Sequence, residues 1–198
     1  MKTPRHDAPP AGGASPPPRE SGLFWTLTLV VLVLDVATKE IARTRLPLLV
    51  PQPVLGDWFR LTLLYNPGAA FGLHLGSYSR WVFSVLAVVA FAILWRMHRR
   101  SRAGDRVRMV ALGLVSGGAL ANFVNRLWSE RGVVDFLDAG IGAHRWPAFN
   151  VADIGVTVGA ALLAWSLLHE ERAEKPVREG SGGHATTHPG VKEDPKSG

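Results

Sequence analysis

Four apolar blocks dominate this sequence, at approximately Leu23–Ala42, Arg80–Met97, Val107–Trp128 and Val151–His169. Each is close to the ~20 residues that a helix rising 1.5 Å per residue needs to cross a ~30 Å hydrocarbon core. With hydrophobic residues at 47% and charged residues at only 19%, gathered in blocks and not spread at amphipathic spacing, the chain reads as an all-α polytopic membrane protein.

The charged residues then set an orientation. The formal net charge of +6 could point to nucleic acid, but Lys and Arg sit beside the apolar blocks and in the tails, and do not interleave with exposed aromatics. No nucleic-acid partner is expected. Arg96, Arg99, Arg100, Arg102, Arg106 and Arg108 crowd the short connection between the second and third blocks, which the positive-inside rule places in the cytoplasm. An even number of spans puts both termini there too, and it puts the segment 43–79 and the segment carrying Asp135 on the outer face. Residues 1–22, dense in Pro, Gly, Ala and Ser, and residues 171–198, rich in Gly, Pro and charge, are expected to be disordered cytoplasmic tails around a membrane domain at 23–170. The N-terminus lacks the basic opening followed directly by an apolar run that marks a cleavable secretory signal.

Polar residues interrupt the blocks at few places. Asp35 lies about twelve residues into the first span, roughly 18 Å along its axis. Lys39 follows one helical turn later on the same face. The two form either a structural ion pair or part of a site. In the outer segment, the apolar and aromatic residues from Trp58 to Tyr65 suggest short strands, hence a small periplasmic β-like subdomain between helices 1 and 2. Asn66-Pro67-Gly68 reads as a turn that could allow close backbone approach or be a plain surface turn. Gly113, Ser116, Gly117, Gly118, Gly155 and Gly159 are small residues that let the third and fourth spans pack closely.

The richest stretch runs from Gly117 to Asp153, GGALANFVNRLWSERGVVDFLDAGIGAHRWPAFNVAD. It places Asp135 and Asp153 near the facing ends of two spans, where ionisable residues are costly and therefore functional candidates. Two carboxylates held close share a proton and can divide the work of general base and general acid. Asp153 could also simply cap a helix start.

Four motifs in order, DVATK, NPGAAFGL, GGALANFVNR leading to VVDF, and FNVAD, resemble those of the lipoprotein signal peptidases, the type II signal peptidases of bacteria. The resemblance spans about residues 23 to 170. It implies a four-helix aspartyl endopeptidase of the bacterial inner membrane, with its active site on the periplasmic side and no cofactor. Such an enzyme removes signal peptides from diacylglyceryl-modified prolipoproteins on the N-terminal side of the lipidated cysteine. It implies Asp135 and Asp153 as the catalytic pair, and Asn66, Gly68, Asn122, Asn125, Arg126, Asn150 and Ala152 as substrate-contacting or supporting residues, with Asp35 and Lys39 stabilising the site. Membrane lipids are the other expected partners, and a monomer is expected. The chain departs from the family's GNxxDR pattern at Ala121 and Asn125, and has NPG where NTG is more usual.

Competing chemistries lack residues. The chain has no cysteine, its histidines form no HExxH pair, and nothing specifies a Ser/Lys contact between Lys39 and Ser77 or Ser79. A small proton-linked transporter or a non-enzymatic membrane scaffold is the alternative, but transport calls for ionisable groups deep in several spans.

Overall fold

The computed structural model describes residues 18–67, 76–101 and 104–174. Its helices are α1 (Pro18–Arg45), α2 (Ser79–Arg100), α3 (Arg106–Trp128) and α4 (Val151–Glu174). Within them Ser21–Arg45, Ser79–Arg100, Arg106–Trp128 and Val151–Glu170 are long and apolar enough to cross a membrane, within a few residues of the expected spans. Helix continues beyond the expected 23–170 at both ends, starting at Pro18 and reaching Glu174. The remaining tail residues lie outside the described part.

Helix α3 is the centre of the bundle. In its most apolar window 44% is buried, against 17–22% for the other three. Its small residues make this possible. At Gly117 an added Cβ would stand 2.8 Å from the Thr28 carbonyl oxygen of α1, and at Gly118 it would collide with the Ala152 carbonyl of α4. The expectation that the small residues join the third and fourth spans is thus half of the arrangement. Gly118 and Gly159 face the α3–α4 contact, while Gly113 and Gly117 admit α1.

Short strands gather at one end of the bundle. Strands β1 (Gln52–Leu55) and β2 (Phe59–Asn66) follow α1, as expected, but β3 (Val133–Ile141) and β4 (His144–Arg145), between α3 and α4, complete the sheet. The order is β1-β2-β3-β4, antiparallel throughout, with Leu64 opposite Asp135. The subdomain is therefore built from both connections and not only from the one between helices 1 and 2. Val133, Val134 and Phe136 suit a strand, and Gly142, at φ 55, turns the chain back into β4. Ala42, Leu63, Val134 and Phe136 form a core cluster between α1 and the sheet, and Phe24, Leu94, Met109 and Leu112 close the opposite end of the bundle.

The helix ends at the sheet are explicitly satisfied. Asn150 and Asp153 cap α4 reciprocally: Asp153 N donates to Asn150 Oδ1 at 3.0 Å, and Asn150 N donates to Asp153 Oδ2 at 3.2 Å. This is a capping box built from Asn and Asp. Arg80 donates to the Arg126 and Leu127 carbonyls at 2.6 and 2.8 Å, closing the C-terminus of α3.

Candidate active site

The two aspartates converge through Asn150. Its Nδ2 donates to Asp135 Oδ1 at 2.6 Å, while its backbone N–H reaches Asp153 Oδ2. Asp135 lies in mid-strand, 2% exposed, and its Oδ2 accepts from Asn66 Nδ2 at 3.2 Å. Asp153, half-buried in the first turn of α4, accepts from Asn122 Nδ2 at 2.9 Å through Oδ1. Asp153 thus both caps a helix and belongs to the cluster; the two readings are not exclusive.

Burial, and then the charge of Asp153, push the Asp135 carboxyl up to about 6, against the opposing pull of Asn150, Asn66 and Lys39.

Behind the carboxylates runs a buried relay. Lys39 Nζ lies 2.6 Å from Asp35 Oδ2 and donates to Asn122 Oδ1 at 2.7 Å. Asp35, fully buried, accepts from Ala152 N at 2.8 Å through its other oxygen. The pair is therefore both an ion pair and a part of the cluster, tying α1 to α3 and to the start of α4. Asn125 Oδ1 accepts from the Val134 N–H at 2.7 Å, one residue before Asp135. Arg126 donates to the Asn122 carbonyl at 3.1 Å and lies over the Phe83 ring at 5.6 Å. Gly68 lies outside the described residues. The other sequence candidates, Asp35, Lys39, Asn66, Asn122, Asn125, Arg126, Asn150 and Ala152, meet around the aspartates. No cluster suited to a metal ion occurs among the described residues.

An apolar cavity of about 720 Å³ opens against Asp153, walled by Ala139, Ile141, Trp146 and Phe149 of the sheet region and by Ile154 and Val158 of α4. A cavity of about 750 Å³ on the other side reaches Lys39 and Asn125 but neither catalytic candidate.

Sequence reading missed one cluster. Asp138 accepts from Arg60 Nε at 3.2 Å, Thr62 Oγ1 at 2.9 Å and Arg145 Nε at 2.8 Å. Burial works against its ionised form, but the bonds from Arg145 and Thr62 and the charges of Arg145 and Arg60 hold its carboxyl below the usual range. The β-branched and aromatic run VVDF followed by a two-residue Gly142-Ala143 turn was the available signal for this hairpin.

The family model described as Signal peptidase (SPase) II matches residues 27–169, which contain every described residue of the cluster. The chain belongs to the signal peptidase II family. Curated relatives named lipoprotein signal peptidase include those of Polynucleobacter necessarius, 39% identical over 74% of this chain and 90% of theirs, and of Pseudomonas putida, 40% identical over 79% and 94%. Among solved structures, a bacterial membrane enzyme determined by the in meso method at 2.3 Å resolution is similar with a TM-score of 0.70 and 28% identity, covering 78% of this chain and 92% of that one. In this member of the signal peptidase II family, the departure at Asn125 leaves a residue that still bonds to the strand carrying Asp135.

Proposed function

We propose that this chain is a membrane aspartyl endopeptidase that cleaves the signal peptide from diacylglyceryl-modified prolipoproteins, on the N-terminal side of the lipidated cysteine, with Asp135 and Asp153 as the catalytic dyad. The observation that carries the assignment is the Asn150 bridge, which holds both carboxylates through one residue. Asp153, at the start of α4, takes a proton from water as the water oxygen attacks the scissile carbonyl carbon. Asp135, protonated, gives its proton to the carbonyl oxygen. Collapse of the tetrahedral intermediate then breaks the C–N bond: Asp153 passes its proton to the departing nitrogen, and Asp135 recovers its own from the hydroxyl. Asn66, Asn122 and Arg126 support this pair or contact the substrate.

The apolar cavity beside Asp153, with Ile154 and Val158 on its lipid-facing wall, suits a lipid-bearing segment arriving sideways from the bilayer. Four antiparallel helices put the dyad at one end and Arg99, Arg100, Arg106 and Arg108 at the other. With those arginines inside, the site faces the outer side of the bacterial inner membrane and both termini are cytoplasmic. The enzyme acts as a monomer embedded in lipid. The clustering of ionisable groups at one end of the bundle favours a peptidase over a proton-linked transporter or a scaffold.

The test is incubation of the purified full chain with a prolipoprotein in diacylated and unmodified forms. Release of the signal peptide from the diacylated form alone is the expected result. No release from either form refutes the activity, and equal release from both refutes lipid recognition.

A further inference from the structure

Strand β4 has two residues, and alternation along it divides the local side chains between two jobs. His144 and Trp146 turn towards the apolar cavity over Asp153, and Arg145 turns to the other side of the sheet. Along β3 the same alternation sends Ala139 to the cavity and Asp138 to the back. Arg145 meets Asp138 there. Its Nε donates to Asp138 Oδ1 at 2.8 Å, its Nη2 to the Asp138 carbonyl at 2.9 Å, and its Nη1 to the carbonyls of Asp57 at 2.7 Å and Gly140 at 3.2 Å.

These bonds converge on the tip of a hairpin whose returning segment is otherwise fastened at its far end, by the bridge between Leu137 and Phe149, and through Gly140 N donating to the Trp58 carbonyl. The ladder between β3 and β4 pairs only Gly140 with Arg145 and Ile141 with His144, extended by Trp146 N donating to the Ala139 carbonyl at 2.8 Å. As a two-residue edge strand, β4 has few ladder bonds of its own. Ile141 and Trp146, 80% and 71% exposed, contribute no buried core of their own. A guanidinium fork engaging three carbonyls and a carboxylate is well matched to fixing such a wall, which a lysine could not reproduce.

We propose that Arg145, seated on Asp138, is a positioning residue that fixes the hairpin wall of the apolar cavity and so sets affinity for the lipid-bearing substrate and not the rate of bond cleavage. This rests on the assignment of that cavity to the substrate. Neither residue touches the dyad, so loss of the fork should act on binding common to ground and transition states.

The experiment compares the parent, Arg145→Ala, Arg145→Lys and Asp138→Asn as full chains, following cleavage of a diacylated prolipoprotein and binding of a fluorescent, non-cleavable diacylated peptide. Arg145→Ala should raise KM about tenfold with kcat within about twofold, weakening peptide binding by the same factor, and Arg145→Lys should fall between it and the parent. A folded Arg145→Ala with unchanged KM and binding, or with lowered kcat at unchanged KM, overturns the proposal. Should Arg145→Ala lack a melting transition, Asp138→Asn decides, because it removes the charge pair and leaves the carbonyl bonds: a few-fold rise in KM supports the proposal and an unchanged KM overturns it. A parent that cleaves but does not bind the diacylated peptide overturns the cavity assignment, and a parent that does not cleave overturns the peptidase reading; the three failures are distinct.

Discussion

Lys39 on α1 places its ammonium 2.7 Å from the side-chain oxygen of Asn122 on α3, and this contact decides which way the Asn122 amide faces. An ammonium can only donate, so the oxygen must turn to Lys39 and the Nδ2 is left for Asp153. The same logic fixes Asn150, whose oxygen is claimed by the Asp153 N–H and whose Nδ2 is left for Asp135. Each aspartate therefore faces a donor that another buried group has oriented.

Lys39→Met removes the orienting donor and strands the Asp35 charge. Stability should fall by about 3–5 kcal/mol, the usual cost of leaving half of a buried pair, and turnover by about 10–100-fold, as for other supporting contacts. Adding Asp35→Asn, which retains an acceptor for the Ala152 N–H, should recover much of the stability without recovering turnover. Melting temperature and kcat measured on both variants separate the roles; if the double variant recovers kcat with its stability, Lys39 serves only the fold.

Asn125→Leu leaves the Val134 N–H, next to Asp135, without its acceptor, a loss of about 1–3 kcal/mol. It should cleave poorly, whereas Asn125→Asp still accepts that bond and should remain active with a changed pH profile. Equal cleavage by Asn125→Leu and the parent would remove Asn125 from the support of the site.

Asp135 also predicts a pH dependence of stability. Its folded-state carboxyl, near 6, stands above the ordinary 3.8, so the folded protein binds the proton more tightly and loses stability as pH rises through about 6. The loss is on the order of 3 kcal/mol between pH 4 and 8. Asp135→Asn has no proton to lose there and should lack this slope. Melting scans at pH 5 and pH 8 check it; parallel behaviour of the two proteins would mean that Asp135 titrates in its ordinary range. Because cleavage needs one proton on the dyad, kcat/KM of the parent should also decline above about pH 6.

Much of this was legible in sequence because hydrophobic runs and charge spacing are local. The four spans are visible from hydropathy, and Asp35 and Lys39 from helical spacing. The sharing of the small residues between two neighbours was not, since Gly117 and Gly118 are adjacent in sequence and face different helices. The strand carrying Asp135 was hidden because its partner, β2, lies on the far side of two helices in the chain. The same separation hid Asp138, whose partner Arg60 sits 78 positions away.

Topology is accessible because the chain contains no cysteine. A single cysteine at Ala143, exposed at the hairpin tip, should react with an impermeant thiol reagent applied to intact spheroplasts, and one at Gly104 should react only after permeabilisation. Labelling of Gly104→Cys from outside would invert the orientation and the side on which the dyad works.

The most direct test of the dyad is turnover of a diacylated prolipoprotein by Asp135→Asn and Asp153→Asn, each first shown to insert and to melt cooperatively. Either amide removes one of the two proton-exchanging groups, so both folded variants should release no signal peptide above background, while the parent releases it. Substantial release by either one would contradict the assignment of Asp135 and Asp153 as a shared catalytic pair.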